Sequence, residues 1–291
     1  ARHGIKGIVG GGSALMAERP IIAGPNANSS SASRNQKMSA FQYPNTRRDN
    51  TEDSYHGTKV TDPYRWLEDT ESEETANWVE AQNKVTFDYL RNISTRQPIV
   101  DRLTSLWNYE RFGRPFKRGD FYFYSHNNGL QNQSVLYVTN SLESEARVLL
   151  DPNQWSQEGT KALSSYAPSP NGKLMAYSIS SAGSDWREWH VLNVETGEKL
   201  DDHIQWSKFS SASWANDNSG FYYSRYDEPK EGEEFSGTNY FQKLYFHKIG
   251  TSQSEDQLIY QQADQKEWGF GGYVTEDGNY LIISVWKGSD R

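Results

Sequence analysis

A mainly β fold made of repeated four-stranded units, preceded by an α-helical segment, is what this sequence predicts, and three observations predict it. Aromatic residues are 14% of the 291 residues, with 18 Tyr, 12 Phe and 10 Trp, while the hydrophobic fraction is only 35%. That mixture suits many short, half-exposed strands better than a deep helical core. Past Phe112 the spacing of apolar residues changes from three or four to two, the period of a strand. One phrase then returns four times, a polar turn ending in glycine followed by a strand rich in aromatics.

Residues 1–37 come first and differ from everything after them. They hold Gly10, Gly11 and Gly12, the tract Asn26 to Ser31, and five basic side chains against Glu18 alone. Little in them can pack, so they are expected to be a disordered leader. Their serine-rich, acid-poor composition is also that of an organellar transit peptide. The chain begins at Ala1 and Met38 stands just before the first folded-looking segment, which favours a leader.

Residues 38–110 form the next segment, helical after an extended start. The proline of Asp62-Pro63-Tyr64-Arg65-Trp66-Leu67-Glu68 suits a first helical turn, and Thr70 followed by Glu73 reads as a capping box. Trp78, Ala81, Val85 and Tyr89 recur at spacings of three or four and share one face of the predicted helix, with Glu74, Glu80, Asn83 and Asp88 outward. A second helix is predicted from Pro98, turning Ile99, Leu103 and Leu106 inward. Both helices require a partner surface.

The four repeated turns end in Gly119, Gly172, Gly220 and Gly278, at intervals of 53, 48 and 58 residues. Glycine there supplies the positive φ of a tight hairpin. Further strands fall between the turns, at residues 134–138 and 147–150 in the first unit and 188–194 in the second. Four strands per unit of about 50 residues is the make-up of a β-propeller blade. A long β-sandwich with hairpins at irregular intervals is the alternative, which the drift in spacing leaves open. The last repeat is cut at Arg291, so residues 111–291 are expected to be a partial β-propeller.

Charge and motifs exclude several kinds of chemistry. A net charge of −8 leaves no basic footprint for nucleic acid, and no apolar run approaches the roughly 20 residues of a membrane-spanning helix. The absence of cysteine rules out disulfides, thiolate metal sites and a cysteine nucleophile, and fits a reducing, cytoplasmic setting. No Gly-x-Ser-x-Gly elbow occurs; Gly11-Gly12-Ser13-Ala14-Leu15 lacks both the pattern and a preceding strand. No two of the six histidines stand at the i, i+4 spacing of a helical metal site, so neither metal nor cofactor is expected. His56 reads as structural, and His247, in the alternating YFHK, as a strand residue with one ring edge solvated. The paired acids Glu73-Glu74 and Glu231, Glu233 and Glu234 read as solvated charge, and the span from Asp227 to Gly237 as a mobile loop.

Several phrases together resemble the prolyl oligopeptidase family: FQYP (41–44), YHGTKVTDPYRWLED (55–69), VEAQNK (79–84), GLQNQSVLYV (129–138), LDPN (150–153), SAGSDW (181–186) and QKLYFHKIGTSQSED (242–256). The resemblance runs from about Met38 to Arg291. It implies a serine-type endopeptidase that cleaves short peptides after proline, with a seven-bladed propeller inserted into an α/β-hydrolase domain. On that map residues 38–110 belong to the hydrolase domain, residues 111–291 are about the first three to four blades, and the catalytic Ser, Asp and His follow in sequence not present. The propeller would act as a steric filter, and the fragment itself would be inactive. The resemblance also assigns two substrate-facing residues. Phe209, in KFSSASW, borders the site, with an ordinary packed strand aromatic as the other reading. Ser289, in WKGSD, stands where familiar members carry cysteine. Trp268 and the glycines after it are similar to a segment near the cavity. A non-enzymatic binding or scaffold propeller, or a truncated product, is the alternative, although neither explains the paired helices and DPYRWLED before the first blade.

Overall fold

The computed structural model describes residues 42–230 and 238–288, which belong to two compact units, residues 1–93 and 94–291. The expected leader, residues 1–37, lies outside the described residues, as do Glu231, Glu233 and Glu234.

In the first unit, strands β1 (Glu52–Tyr55) and β2 (Thr58–Thr61) pair antiparallel. Their two-residue turn is His56 (φ 51°) and Gly57 (φ 82°), the left-handed pair whose twist matches that of the strands. The Asp62-Pro63 segment does not open the long helix. It forms a single 3-10 turn, Arg65–Glu68, tied back to the hairpin by the Arg65 guanidinium, which donates to Asp53 and Asp62. Helix α1 (Glu73–Arg91) starts after Ser72, whose Oγ accepts the Thr75 N–H at 3.2 Å. The cap is therefore Ser72 and not the expected Thr70. The single Ser72 hydroxyl proton lies within reach of both Asp69 O and Thr75 Oγ1, each 3.0 Å from Oγ, and buried Thr75 donates to Trp66 O, so the turn and the helix start are one hydrogen-bonded unit. Trp78, Ala81 and Val85 are half-buried, while Tyr89 is exposed.

The second unit opens with α2 (Arg96–Trp107), all of whose residues are exposed. Ile99, Leu103 and Leu106, expected to face inward, are at least half exposed. Four sheets follow. The first contains β3 (Arg111–Phe112), β4 (Phe116–Arg118), β5 (Phe121–Asn127), β6 (Val135–Thr139) and β7 (Arg147–Leu150), with β3 and β4 covering successive halves of β5. The second is β8 (Lys161–Pro168), β9 (Leu174–Ser181), β10 (Arg187–Asn193) and β11 (Lys199–Ser207), paired in sequence order. The third repeats that meander with β12 (Ser213–Trp214), β13 (Gly220–Arg225), β14 (Lys243–Lys248) and β15 (Gln257–Tyr260). The hairpin of β16 (Trp268–Val274) and β17 (Leu281–Lys287) begins a fourth.

Stacking of successive sheets makes the core. Along β9, Met175 and Tyr177 join Phe123, Leu136, Val138 and Leu150 of the first sheet, whereas Ala176 joins Trp189, Trp214 and Phe221 in a second cluster shared with the third sheet. Neighbouring residues of a strand point to opposite faces, so a middle sheet buries both. This is why LMAYSIS reads as apolar on both faces. Each such side chain withdrawn from water contributes roughly 2 kcal/mol. Four-stranded meanders stacked face to face in chain order are propeller blades, and among the described residues they form an open series.

The β4–β5, β8–β9, β12–β13 and β16–β17 turns interlock. A Cβ on Gly119 would lie 1.9 Å from Asn171 O, and one on Gly172 would lie 2.3 Å from Arg118 O. Asn171 N donates to Asn218 Oδ1 at 2.9 Å, and Asn216 Nδ2 donates to Glu276 O at 2.9 Å. In the third turn the left-handed residue is Asn218 (φ 64°), not the expected Gly220. Gly220 starts β13, where an added Cβ would stand 2.0 Å from His247 O.

Candidate functional site

The innermost strands β4, β8, β12 and β16 line a cleft of about 870 Å³, with Phe116, Tyr166, Trp214 and Tyr273 among its walls. The interlocked turns, represented by Glu276, reach one end of it. The connection from β11 to β12 carries Phe209 and runs on into Ser211 and Ala212, which line the cleft.

Two left-handed residues shape the way into this connection, Trp206 (φ 61°) near the end of β11 and Phe209 (φ 50°) just after it. Each costs of order 1–2 kcal/mol in a residue with a Cβ. Buried hydrogen bonds hold them there. Trp189 Nε1 donates to Ser207 Oγ at 3.1 Å, and Ser207 Oγ donates to Ser224 O at 2.8 Å. Ser224 N donates to Ser210 Oγ at 2.8 Å, and Arg187 Nη1 donates to Ser210 O at 3.2 Å. Gln242, 1% exposed, donates to Lys208 O at 2.9 Å and accepts from Phe270 N at 2.7 Å, joining the connection to β16. Ser207, Lys208 and Ser210 are buried by these contacts, yet Phe209 between them is 55% exposed. Phe209 is thus not a packed strand aromatic; a rigid polar bed displays it to solvent.

Charge around the bed is unusual for a surface loop. The Lys208 ammonium lies 3.9 Å over the Trp186 ring, which meets Trp206 and Tyr226 edge-on. Burial holds Lys208 below the usual lysine range, partly offset by Asp185. Deeper in the third blade His247 is fully buried, with Nδ1 2.6 Å from Asp256 Oδ1 and Nε2 2.9 Å from Asp202 Oδ1. It is not the half-solvated strand residue that YFHK suggested. Burial alone would lower its pKa, but the two carboxylates outweigh it and push it up to about 9. For Asp202, burial is outweighed by hydrogen bonds from His247 and the Gly250 N–H, and its pKa falls below the usual range. In the second blade burial drives His190 down to about 4, helped by Lys199 and His203.

Phe209 is therefore an exposed aromatic two residues before the cleft-lining Ser211, and Ser289 lies outside the described residues. Trp268 starts β16, and Gly269 makes room for Trp286, since a Cβ there would come within 2.3 Å of its ring. Gln242 and Ser224 are not singled out by sequence; the signal it carries is a polar residue just before β14 for Gln242 and one near the end of the aromatic β13 for Ser224. Among the described residues no histidine nitrogen hydrogen-bonds a serine hydroxyl. The nearest look-alike, His247, has both nitrogens engaged by carboxylates and cannot take a proton from a nucleophile.

Residues 44–291 match the family model described as the prolyl oligopeptidase N-terminal beta-propeller domain. The chain is 45% identical over 250 residues to a prolyl endopeptidase of Elizabethkingia meningoseptica, covering 86% of this chain and 35% of that protein. It is 35% identical over 284 residues to prolyl oligopeptidase A of Amanita bisporigera, covering 86% and 36%. Among solved structures, prolyl oligopeptidase B from Galerina marginata bound to a 25mer macrocyclization substrate aligns with a TM-score of 0.73 at 32% identity, over 84% of this chain and 37% of that one. The chain thus spans about a third of the length of the curated relatives it matches.

Proposed function

Since the chain belongs to the prolyl oligopeptidase family through its N-terminal β-propeller domain, we propose that it is the N-terminal part of a serine-type endopeptidase that cleaves short peptides on the carboxyl side of proline. The observation that carries this reading is the ordered series of blades matched to the family from residue 44 to residue 291. In this reading residues 38–110 pack on an α/β-hydrolase domain, which would cover the exposed apolar side chains of α2. The propeller selects and does not catalyse. Stacked blades around a narrow axis admit a flexible peptide and exclude a folded protein, and motion between domains gates access.

Phe209 is proposed to border the bound peptide. Its exposure and its rigid bed support this, because an aromatic fixed before binding loses little entropy on contact. Ser289 is proposed as a second contact on the resemblance alone. The hydrolysis itself would use a serine acyl-enzyme with histidine acting as base and then acid, supplied by hydrolase sequence that the 291 residues do not contain. The chain alone is expected to be inactive, and its setting is proposed to be cytoplasmic; among the described residues no helix is long and apolar enough to cross a membrane.

Two assays test the proposal. The 291-residue chain should release no fluorophore from a proline-specific peptide substrate. A chimera in which residues 44–291 replace the matching part of the Elizabethkingia meningoseptica enzyme should cleave it after proline. Turnover by the chain alone, or a folded but inactive chimera, would contradict the reading.

A further inference from the structure

We propose that Glu188, His190 and His203 form a binding site for a divalent transition-metal ion of the Zn²⁺ class on the two outer strands of the second blade. Glu188 and His190 are two apart on β10 and so share a face, and His203 on β11 stands directly opposite His190. One ligand atom from each lies within 4.8 Å of the others. Two imidazoles and a carboxylate are a known zinc donor set, leaving a fourth position for water.

Three further observations point to a ligand. Buried His190 has an Nδ1 without any hydrogen-bond partner, a condition that native interiors rarely tolerate. His203 Nε2 already stands 2.8 Å from Glu188 Oε2, and the His203 ring stacks on His190 with centroids 4.8 Å apart, so the three side chains are in contact and a turn of the exposed His203 ring brings its nitrogen toward the others. The β10–β11 register also slips on both sides of the His190 and His203 pair, between Arg187 and Trp189 and between His190 and Leu192. Such bulges re-aim side chains.

Zinc at about 2.0–2.1 Å from each donor separates the donors by roughly 3.4 Å. The contraction required falls on the solvent-exposed Glu188 and His203, whose mutual contact and ring stacking would rearrange around the ion, and not on buried His190. The bound ion would clip β10 to β11 where their ladder is irregular. This inference does not depend on the proposed peptidase function.

Titration of the complete 291-residue chain with ZnCl₂ by calorimetry, and with Co²⁺ by visible absorption, tests it. One saturable equivalent with the d–d bands of a low-symmetry cobalt centre is expected. Glu188→Gln and His203→Ala, both at exposed positions, should each weaken binding by about tenfold or more with an unchanged circular-dichroism spectrum. His3→Ala, distant in sequence, should leave it unchanged. Absence of a saturable equivalent, or equal affinity in the folded Glu188→Gln and His203→Ala variants, would overturn the proposal.

Discussion

At Phe209 an exposed aromatic and a left-handed backbone coincide, and the two can be separated by mutation. In the chimera, Phe209→Ala is expected to raise KM about tenfold with little change in kcat, as when an apolar contact to bound substrate is lost. Phe209→Gly should raise KM as much while stabilising the protein by up to about 1 kcal/mol, because glycine holds a φ of 50° without strain. Chemical denaturation and initial rates on the same samples distinguish these outcomes; equal destabilisation by both changes would mean a packing role. His247 answers to pH. Its raised pKa contributes stability that is complete below its ordinary 6.5 and is lost as pH rises through about 9. The lowered pKa of Asp202 contributes above its ordinary 3.8 and is lost on acidification. Urea midpoints should therefore fall toward both extremes. His247→Gln should cost about 3 kcal/mol at neutral pH and flatten the alkaline limb, since it leaves buried carboxylates without their cation.

The hairpin turns show at the level of elements how far local chemistry can be read. Gly119, Gly172 and Gly278 occupy left-handed positions as their motifs predict, but Asn218 takes that place in the third turn and Gly220 yields to a close approach. Asparagine is the other residue that tolerates this region, and its side chain is also used, accepting the Asn171 N–H of the preceding blade. Asn218→Ala is expected to cost about 1–2 kcal/mol, through strain and the lost bond between blades. Gly220→Ala should cost about as much or more although its φ is ordinary, because the new methyl meets His247 O. Thermal melts of the two variants check both expectations. The start of α1 carries the same lesson. Thr70 and Glu73 have the spacing of a capping box, but Ser72 is the residue that the 3-10 turn before it holds in place.

For the molecule as a whole the open end of the blade series is decisive. β17 pairs only with β16 among the described residues, and Tyr280, Ile282 and Val285 on this hairpin are exposed. An unpaired strand with apolar side chains recruits other chains. The isolated 291-residue chain should therefore associate as its concentration rises, and Ile282→Lys with Val285→Lys should reduce this in sedimentation velocity. A monomer at every concentration would contradict the expectation.

The amino-acid order alone determined the run of β units, the change of period past Phe112, the left-handed glycines and the absence of a serine elbow, because each depends on residues close together in the chain. Tertiary structure decided what depends on distant partners. The exposure of Phe209 follows from Ser224, Gln242 and Phe270, which anchor the residues on either side of it. The carboxylate clasp on His247 draws Asp202 from the preceding blade, 45 positions away. The trio of Glu188, His190 and His203 follows from the register of two strands, which a period of two cannot specify.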